Sequence, residues 1–254
     1  MNLTPTHIAR WALPGIAALS LGLLAACGGG DDSTTLTAEE AQAVADAGLL
    51  VLADLPAGDW TQEEDQASIQ DLLPTDTGLD TNVDVPEACQ AFQAAMSDLP
   101  STLGEVQPIA SSGRSFSIVG NTLSAQVVSS TVVVFEHSED AAAASDALQT
   151  AFDADGVQNC LLSALGPINE AGLEIEEFRV DKPDYALDDS TGLHVQVDAV
   201  AFILPIQLGI DVHIFSRGNA LAMYLALDLN GDDLAALHGD LLKTFAARVE
   251  DAQS

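Results

Sequence analysis

The sequence predicts a single α+β domain, a mainly antiparallel sheet with helices packed on one face. Apolar and polar residues alternate through 193–197, 206–214 and 221–227, the period of strands that bury one face. Residues 37–55, 138–152 and 234–249 instead carry apolar side chains at helical spacing. No internal repeat and no second apolar core divides residues 37–252, so one domain is expected there.

Charge narrows the function classes. The 254 residues hold 39 acidic side chains against 7 basic ones, a formal net charge of −32. Nucleic-acid binding draws on Lys and Arg that displace phosphate counterions, and this chain supplies too few, so no nucleic-acid partner is expected. Adsorption to anionic lipid through a basic patch fails on the same ground. With 48% hydrophobic residues the chain still has the material for a core, so its acidity does not imply disorder.

Met1 to Arg10 forms a short leader with one arginine, and Trp11 to Ala26 is a mostly apolar run of 16 residues interrupted by Pro14. A membrane-spanning helix needs about 20 apolar residues, so this run has the length of a signal-peptide core. It closes in Leu24-Ala25-Ala26-Cys27. This N-terminus resembles a bacterial lipoprotein signal peptide, in which small residues before the cysteine admit the peptidase and the cysteine sulfur then carries diacylglycerol. The resemblance implies removal of residues 1–26, acylation of Cys27, and anchoring to the cell membrane on its extracytoplasmic face, with the bilayer as partner. Two or three acyl chains are enough for stable anchoring, whereas one is not. An uncleaved signal anchor with a coincidental cysteine is the alternative. Residues 27–36, opening on three glycines and two aspartates, read as a flexible tether.

Setting Cys27 aside leaves Cys89 and Cys160, an even pair in an exported chain, and predicts a disulfide between them. The chain-entropy estimate for closing so long a loop is roughly 4 kcal/mol. Two buried free thiols, or one reactive thiol, are the alternative; neither cysteine lies in a C-x-x-C or beside a basic residue that would activate it.

Thr37 and Glu40 form a capping-box pattern, followed by a helix running through Ala41, Val44, Leu49 and Leu52 and stopping at 54–56. Residues 59–84, acidic and broken by Pro74 and Gly78, read as exposed loop. Pro86 opens a helix with Cys89, Phe92 and Met96 on one face. Strands follow at 114–119 and 122–136, joined at Gly120-Asn121. Ser138, Glu139 and Asp140 start a helix, and a helical segment at 157–165 carries Cys160. After a strand at 172–180 and an acidic loop at 181–190 come the three alternating strands, with a hairpin near Pro205 and a turn at 217–219. The last helix, capped near Asp232, aligns Leu237, Leu241, Phe245 and Val249.

The segments Asp54-Leu-Pro-Ala-Gly-Asp-Trp60, Thr131-Val-Val-Val-Phe135 and Ser138-Glu-Asp-Ala-Ala-Ala-Ala144, with Cys89 and Cys160, resemble actinobacterial surface lipoproteins related to the extracellular sensor domain of a receptor serine/threonine kinase. The resemblance spans most of 37–252. It implies a non-catalytic domain that binds a small-molecule or protein ligand in a cleft of the sheet. Sensor domains of that kind commonly carry a second disulfide, which this chain lacks.

Chemistry-bearing motifs are few. The chain contains no Gly-x-Ser-x-Gly, His-Glu-x-x-His, P-loop or Gly-x-Gly-x-x-Gly, so neither an enzyme nor a cofactor or resident metal is the primary expectation. Asp228-x-Asn230-Gly-Asp232-Asp233 starts like a calcium loop, yet an EF-hand counted from Asp228 wants Gly at 233 and Glu at 239, where Asp233 and Gly239 stand. It reads as a strand-to-helix turn. The polar half of the alternation is more suggestive. His194, Gln196 and Asp198 share one side of their strand, Asp211, His213 and Phe215 one side of the next, and the hairpin sets these rows side by side. His194, Gln196, Asp211 and His213 are therefore candidate ligand-binding residues. An alternative makes His194, Asp198, Asp211 and His213 the centre of a hydrolase or metal-binding enzyme. The same pattern also fits the solvent face of an ordinary antiparallel sheet.

Overall fold

Thr37 starts the first helix as expected. Its Oγ1 accepts from the Glu40 N–H at 3.2 Å while the Glu40 carboxylate accepts from the Thr37 N–H at 2.9 Å, closing the capping box. In the computed structural model, the described residues are 36–63, 89–90, 94, 108–120, 124–152, 156–157, 159–160, 173–183, 185–187, 189–201, 204–230 and 235–254. They form α1 (Ala38–Ala47), a 3₁₀ turn (Leu52–Asp54), β1 (Thr61–Glu63), β2 (Ala110–Val119), β3 (Ala125–Val134) and α2 (Ser138–Ala151). The chain continues through β4 (Leu173–Asp181), β5 (Thr191–Ala201), β6 (Leu204–Arg217), β7 (Ala220–Leu229) and α3 (Ala235–Asp251). Thr34–Ser254 is one compact unit. Among the described residues no helix is long and apolar enough to cross a membrane.

The strands make one sheet in the order β1-β2-β3-β7-β6-β5-β4, each antiparallel to its neighbours. This is the expected α+β architecture. The placement of the helices differs from the expectation of one covered face. Val132, Val134, Phe215, Ala222 and Tyr224 face α1 and α3, packing on Ala41, Ala45, Leu241, Leu242 and Phe245. Their strand neighbours Val133, Ile214 and Leu221 point the other way, onto Ala141, Ala144 and Leu148 of α2. The central strands are apolar on both sides, so both faces are covered. Beyond α2 the same face continues as Leu193, Val195, Val197 and Ala199 with Val157.

α1 is shorter than the sequence predicts. It ends at Gly48, whose N–H bonds to Val44 at 3.0 Å, and a Cβ there would stand 3.2 Å from Val132 Cγ2. The chain then turns Leu49 and Leu50 into the core. Leu50 needs no helix to satisfy its backbone, because its N–H donates to Ser130 Oγ at 3.2 Å and its carbonyl accepts from Arg114 Nη1 at 2.8 Å.

Cys89 and Cys160, 71 residues apart, are joined by a disulfide. Residues 156–157 and 159–160 are helical, as expected around Cys160. Most of the helix expected from Pro86, including Phe92 and Met96, and all of 64–84 lie outside the described residues, as do 1–35 with Cys27.

Candidate functional site

The β5–β6 hairpin forms around Pro205, and its register sets His194 opposite Asp211 and Gln196 opposite Gly209. β7 extends these rows, placing Tyr224 beside His213 and Asp228 beside Gly209. The two polar rows predicted from the alternation are thus brought together, on the face that α1 and α3 cover. Asp211 is 4% exposed and His213 fully buried. Phe215, next in the row, belongs to the core and stacks edge-on against Phe245 at 5.6 Å, so it is no part of a binding surface. His194, Gln196 and Asp198 are half-buried.

Asp211 is the hub. Its Oδ1 accepts from the Tyr185 hydroxyl and lies 2.8 Å from His194 Nδ1. Burial pushes the Asp211 carboxyl up, but the bonds from His194 and Tyr185 outweigh it and hold the group below its ordinary range. The bond to Asp211 raises His194 against the opposing effect of burial. Burial first, then the hydrogen bond to Asp211, pushes the Tyr185 phenol up, so it remains a donor. The arrangement is therefore a carboxylate gripped by a phenol and an imidazole whose charged form the carboxylate favours.

His213 has a different setting. Its ring lies 5.6 Å from Tyr185 and 6.1 Å from Tyr224, and neither ring nitrogen has a hydrogen-bond partner among the described residues. Burial lowers its pKa to about 4, leaving it neutral at pH 7. Room for it exists because residue 192 is glycine; a Cβ there would lie 2.7 Å from His213 Nδ1 and Cε1. On the α3 side, Tyr224 Oη and His238 Nδ1 are 2.9 Å apart. Burial raises the phenol and lowers the imidazole, so the bond joins two neutral groups, its direction set by the His238 tautomer.

Tyr185, Tyr224 and His238 were not legible as site residues in the sequence. A faint signal existed, since these are the chain's two tyrosines and His238 precedes Leu241, Leu242 and Phe245 on one helical stripe. At the open end of the rows, Gln196 Nε2 donates to Asp198 Oδ2 at 3.2 Å, and Gly209 leaves a notch whose nearest neighbour is Asp228 Cβ at 3.9 Å from an added Cβ. Beside it, Asn230 adopts φ 51° and closes the end of β7, its Oδ1 accepting from the Gln207 N–H at 2.6 Å and its N–H donating to Gln207 O at 2.7 Å. Residues 231–234 of the calcium-like segment lie outside the described residues. Among the described residues no three His, Cys, Asp or Glu side chains converge into a metal-holding group.

No protein-family model matches the chain, and no curated protein matches its sequence. Among solved structures, it is similar to the extracellular domain of PknH from Mycobacterium tuberculosis, with a TM-score of 0.38 and 14% identity over 87% of this chain and 97% of that one.

Proposed function

We propose that this protein is a lipid-anchored extracytoplasmic domain that binds a ligand or partner without transforming it. The observation that carries the reading is Leu24-Ala25-Ala26-Cys27 at the end of a 16-residue apolar run, directly ahead of a polar tether and a disulfide-closed domain. The binding edge is the accessible end of the polar row, His194 and Gln196 beside the Gly209 notch. Asp211 and His213 support that edge from behind. Asp211 is committed to Tyr185 and His194, a structural use of a carboxylate that favours a fixed recognition surface over a reactive one.

Feeding cells an alkyne-tagged palmitate should label the protein, and Cys27→Ser should abolish the label and either release the chain from membranes or leave its signal uncleaved. A Cys27→Ser protein that matures and fractionates with membranes as before overturns the anchor. Native mass spectrometry of the protein isolated from its own cells should show a bound mass that Gln196→Ala weakens.

One observation favours a second reading, acid–base catalysis. His194 is oriented through Nδ1 by a buried carboxylate at 2.8 Å, the way a catalytic imidazole is held. Turnover of an ester or amide panel lost in His194→Gln would support it over simple binding.

A further inference from the structure

The described residues 182–183, 185–187 and 189–190 cross the polar row as a strap. Pro183 is buried over Gly192, its Cδ 3.3 Å from the point where a Gly192 Cβ would stand. Tyr185 sends its hydroxyl to Asp211 and lies against Gly239 of α3, where an added Cβ would meet Tyr185 Cβ at 2.9 Å. Leu187 packs on the core under α1 and α3, and Asp189 forks onto Arg217 at 2.6 and 2.9 Å. Beneath lies His213, fully buried with both ring nitrogens unpaired among the described residues. The titratable groups around it are Tyr185 from the strap, Tyr224 from β7, His238 from α3, His194 from β5 and Asp211 from its own strand. Asp181, at the end of β4, acts on His194 and Tyr185.

We propose that the segment carrying Pro183, Tyr185, Leu187 and Asp189 is an acid-released strap: protonation of His213 opens it ahead of global unfolding and uncovers the Asp211 side of the polar row. Among the described residues, an imidazolium at this position has one carboxylate beside it, and that carboxylate is already shared by His194 and Tyr185. The other imidazoles, His194 and His238, disfavour a further positive charge. A buried cation lacking an acceptor needs water. Water enters most cheaply by lifting the strap, because β6 is hydrogen-bonded along both edges and α3 has its apolar stripe in the core. The device works whether or not the row takes a ligand.

The sign and size follow from linkage. In the closed state His213 titrates near 4, and in the open state near its ordinary value of about 6.5. Opening is indifferent to pH above about 6.5 and grows by about tenfold per pH unit as pH falls from there toward 4. Hydrogen exchange read by mass spectrometry on the full chain tests this. After correction for intrinsic rates, peptides covering 182–190 should lose about 40-fold protection between pH 6.5 and pH 4.5. Peptides covering 206–217 should keep theirs. His213→Gln, which gains no charge, should hold the strap closed at pH 4.5. Simultaneous loss in both regions, or a Gln variant that opens at the wild-type pH, overturns the proposal. Should that variant fail to fold, the His213 ring-proton NMR titration of the wild type decides. A midpoint that coincides with strap opening supports the device, and a midpoint displaced from it overturns it.

Discussion

Arg248 near the end of α3 forks onto Asp54 in the 3₁₀ turn, with Nε at 2.6 Å from Oδ2 and Nη2 at 2.9 Å from Oδ1, across 194 residues of sequence. Asp54 Oδ2 also accepts from the Val51 N–H at 2.8 Å, so one carboxylate fixes the turn that ends the α1 segment and ties it to the last helix. Asp54 is the first residue of the Asp-Leu-Pro-Ala-Gly-Asp-Trp60 segment, whose Trp60 closes back on Pro56 O at 3.1 Å.

Removing Arg248 leaves the mostly buried Asp54 carboxylate with the Val51 N–H but without its counter-charge, and removing Asp54 leaves the half-buried Arg248 guanidinium without its fork. Arg248→Ala should cost about 1–3 kcal/mol in urea unfolding, and Arg248→Lys should recover only part of it, since an ammonium lacks the fork. The double variant with Asp54→Ala should cost less than the sum of the singles. Additive losses would show that the pair is uncoupled.

The disulfide joins segments that are far apart in the chain. Replacing Cys89 and Cys160 by alanine should lower stability by up to about 4 kcal/mol, the chain-entropy value for a loop of this length. Peptide mapping without reductant should recover the two cysteines in one linked species. Alkylation of both thiols in the unreduced protein would contradict the bond.

Gly192 is a steric requirement of His213, not of its own backbone. Gly192→Ala places a methyl 2.7 Å from the imidazole and should destabilise by about 1–3 kcal/mol, as overpacking does. Combining it with His213→Ala should cost less than the two separate losses added together, because the second change vacates the space the first demands. A full additive penalty would place the strain elsewhere.

Local physics carried much of this fold into the sequence. Alternation at Leu193, Val195 and Val197 marked a strand and its buried side, and Thr37 with Glu40 marked a helix start to the residue. The polar row His194, Gln196, Asp211 and His213 was legible as a row, because hairpin register follows from period two. That α3 and the strap bury half of it was not. Burial there comes from Tyr185 and His238, which local periodicity does not link to residue 211 or 213. The early end of α1 escaped for the same reason: Ser130 and Arg114, distant in sequence, supply the bonds that let Leu50 leave the helix. The helical periods of α1, α2 and α3 announce an apolar stripe without saying which side of a two-sided sheet receives it.

Net charge sets how this domain responds to salt. Asp outnumbers Glu 26 to 13, and the chain's two lysines are Lys182 and Lys243. Removing residues 1–26 would take away Arg10 and no acid, and all the acids but Asp31 and Asp32 lie beyond the 27–36 segment, so residues 37–254 carry nearly the whole negative excess. Like charges crowded on a compact surface repel more than they do in an expanded chain, and salt screens them, shortening the Debye length from about 10 Å at 0.1 M to about 3 Å at 1 M. The melting temperature should therefore rise with sodium chloride, with most of the gain below about 0.5 M, where screening changes fastest. Arg217–Asp189, with its aspartate 61% exposed, loses attraction under the same screening, but an exposed pair of this kind contributes at most about 1 kcal/mol. Potassium acetate should reproduce the sodium chloride trend. A flat profile in both salts removes self-repulsion as a factor. A rise seen in sulfate alone assigns the effect to strengthened apolar burial, because excluded anions favour buried surface whatever the charge.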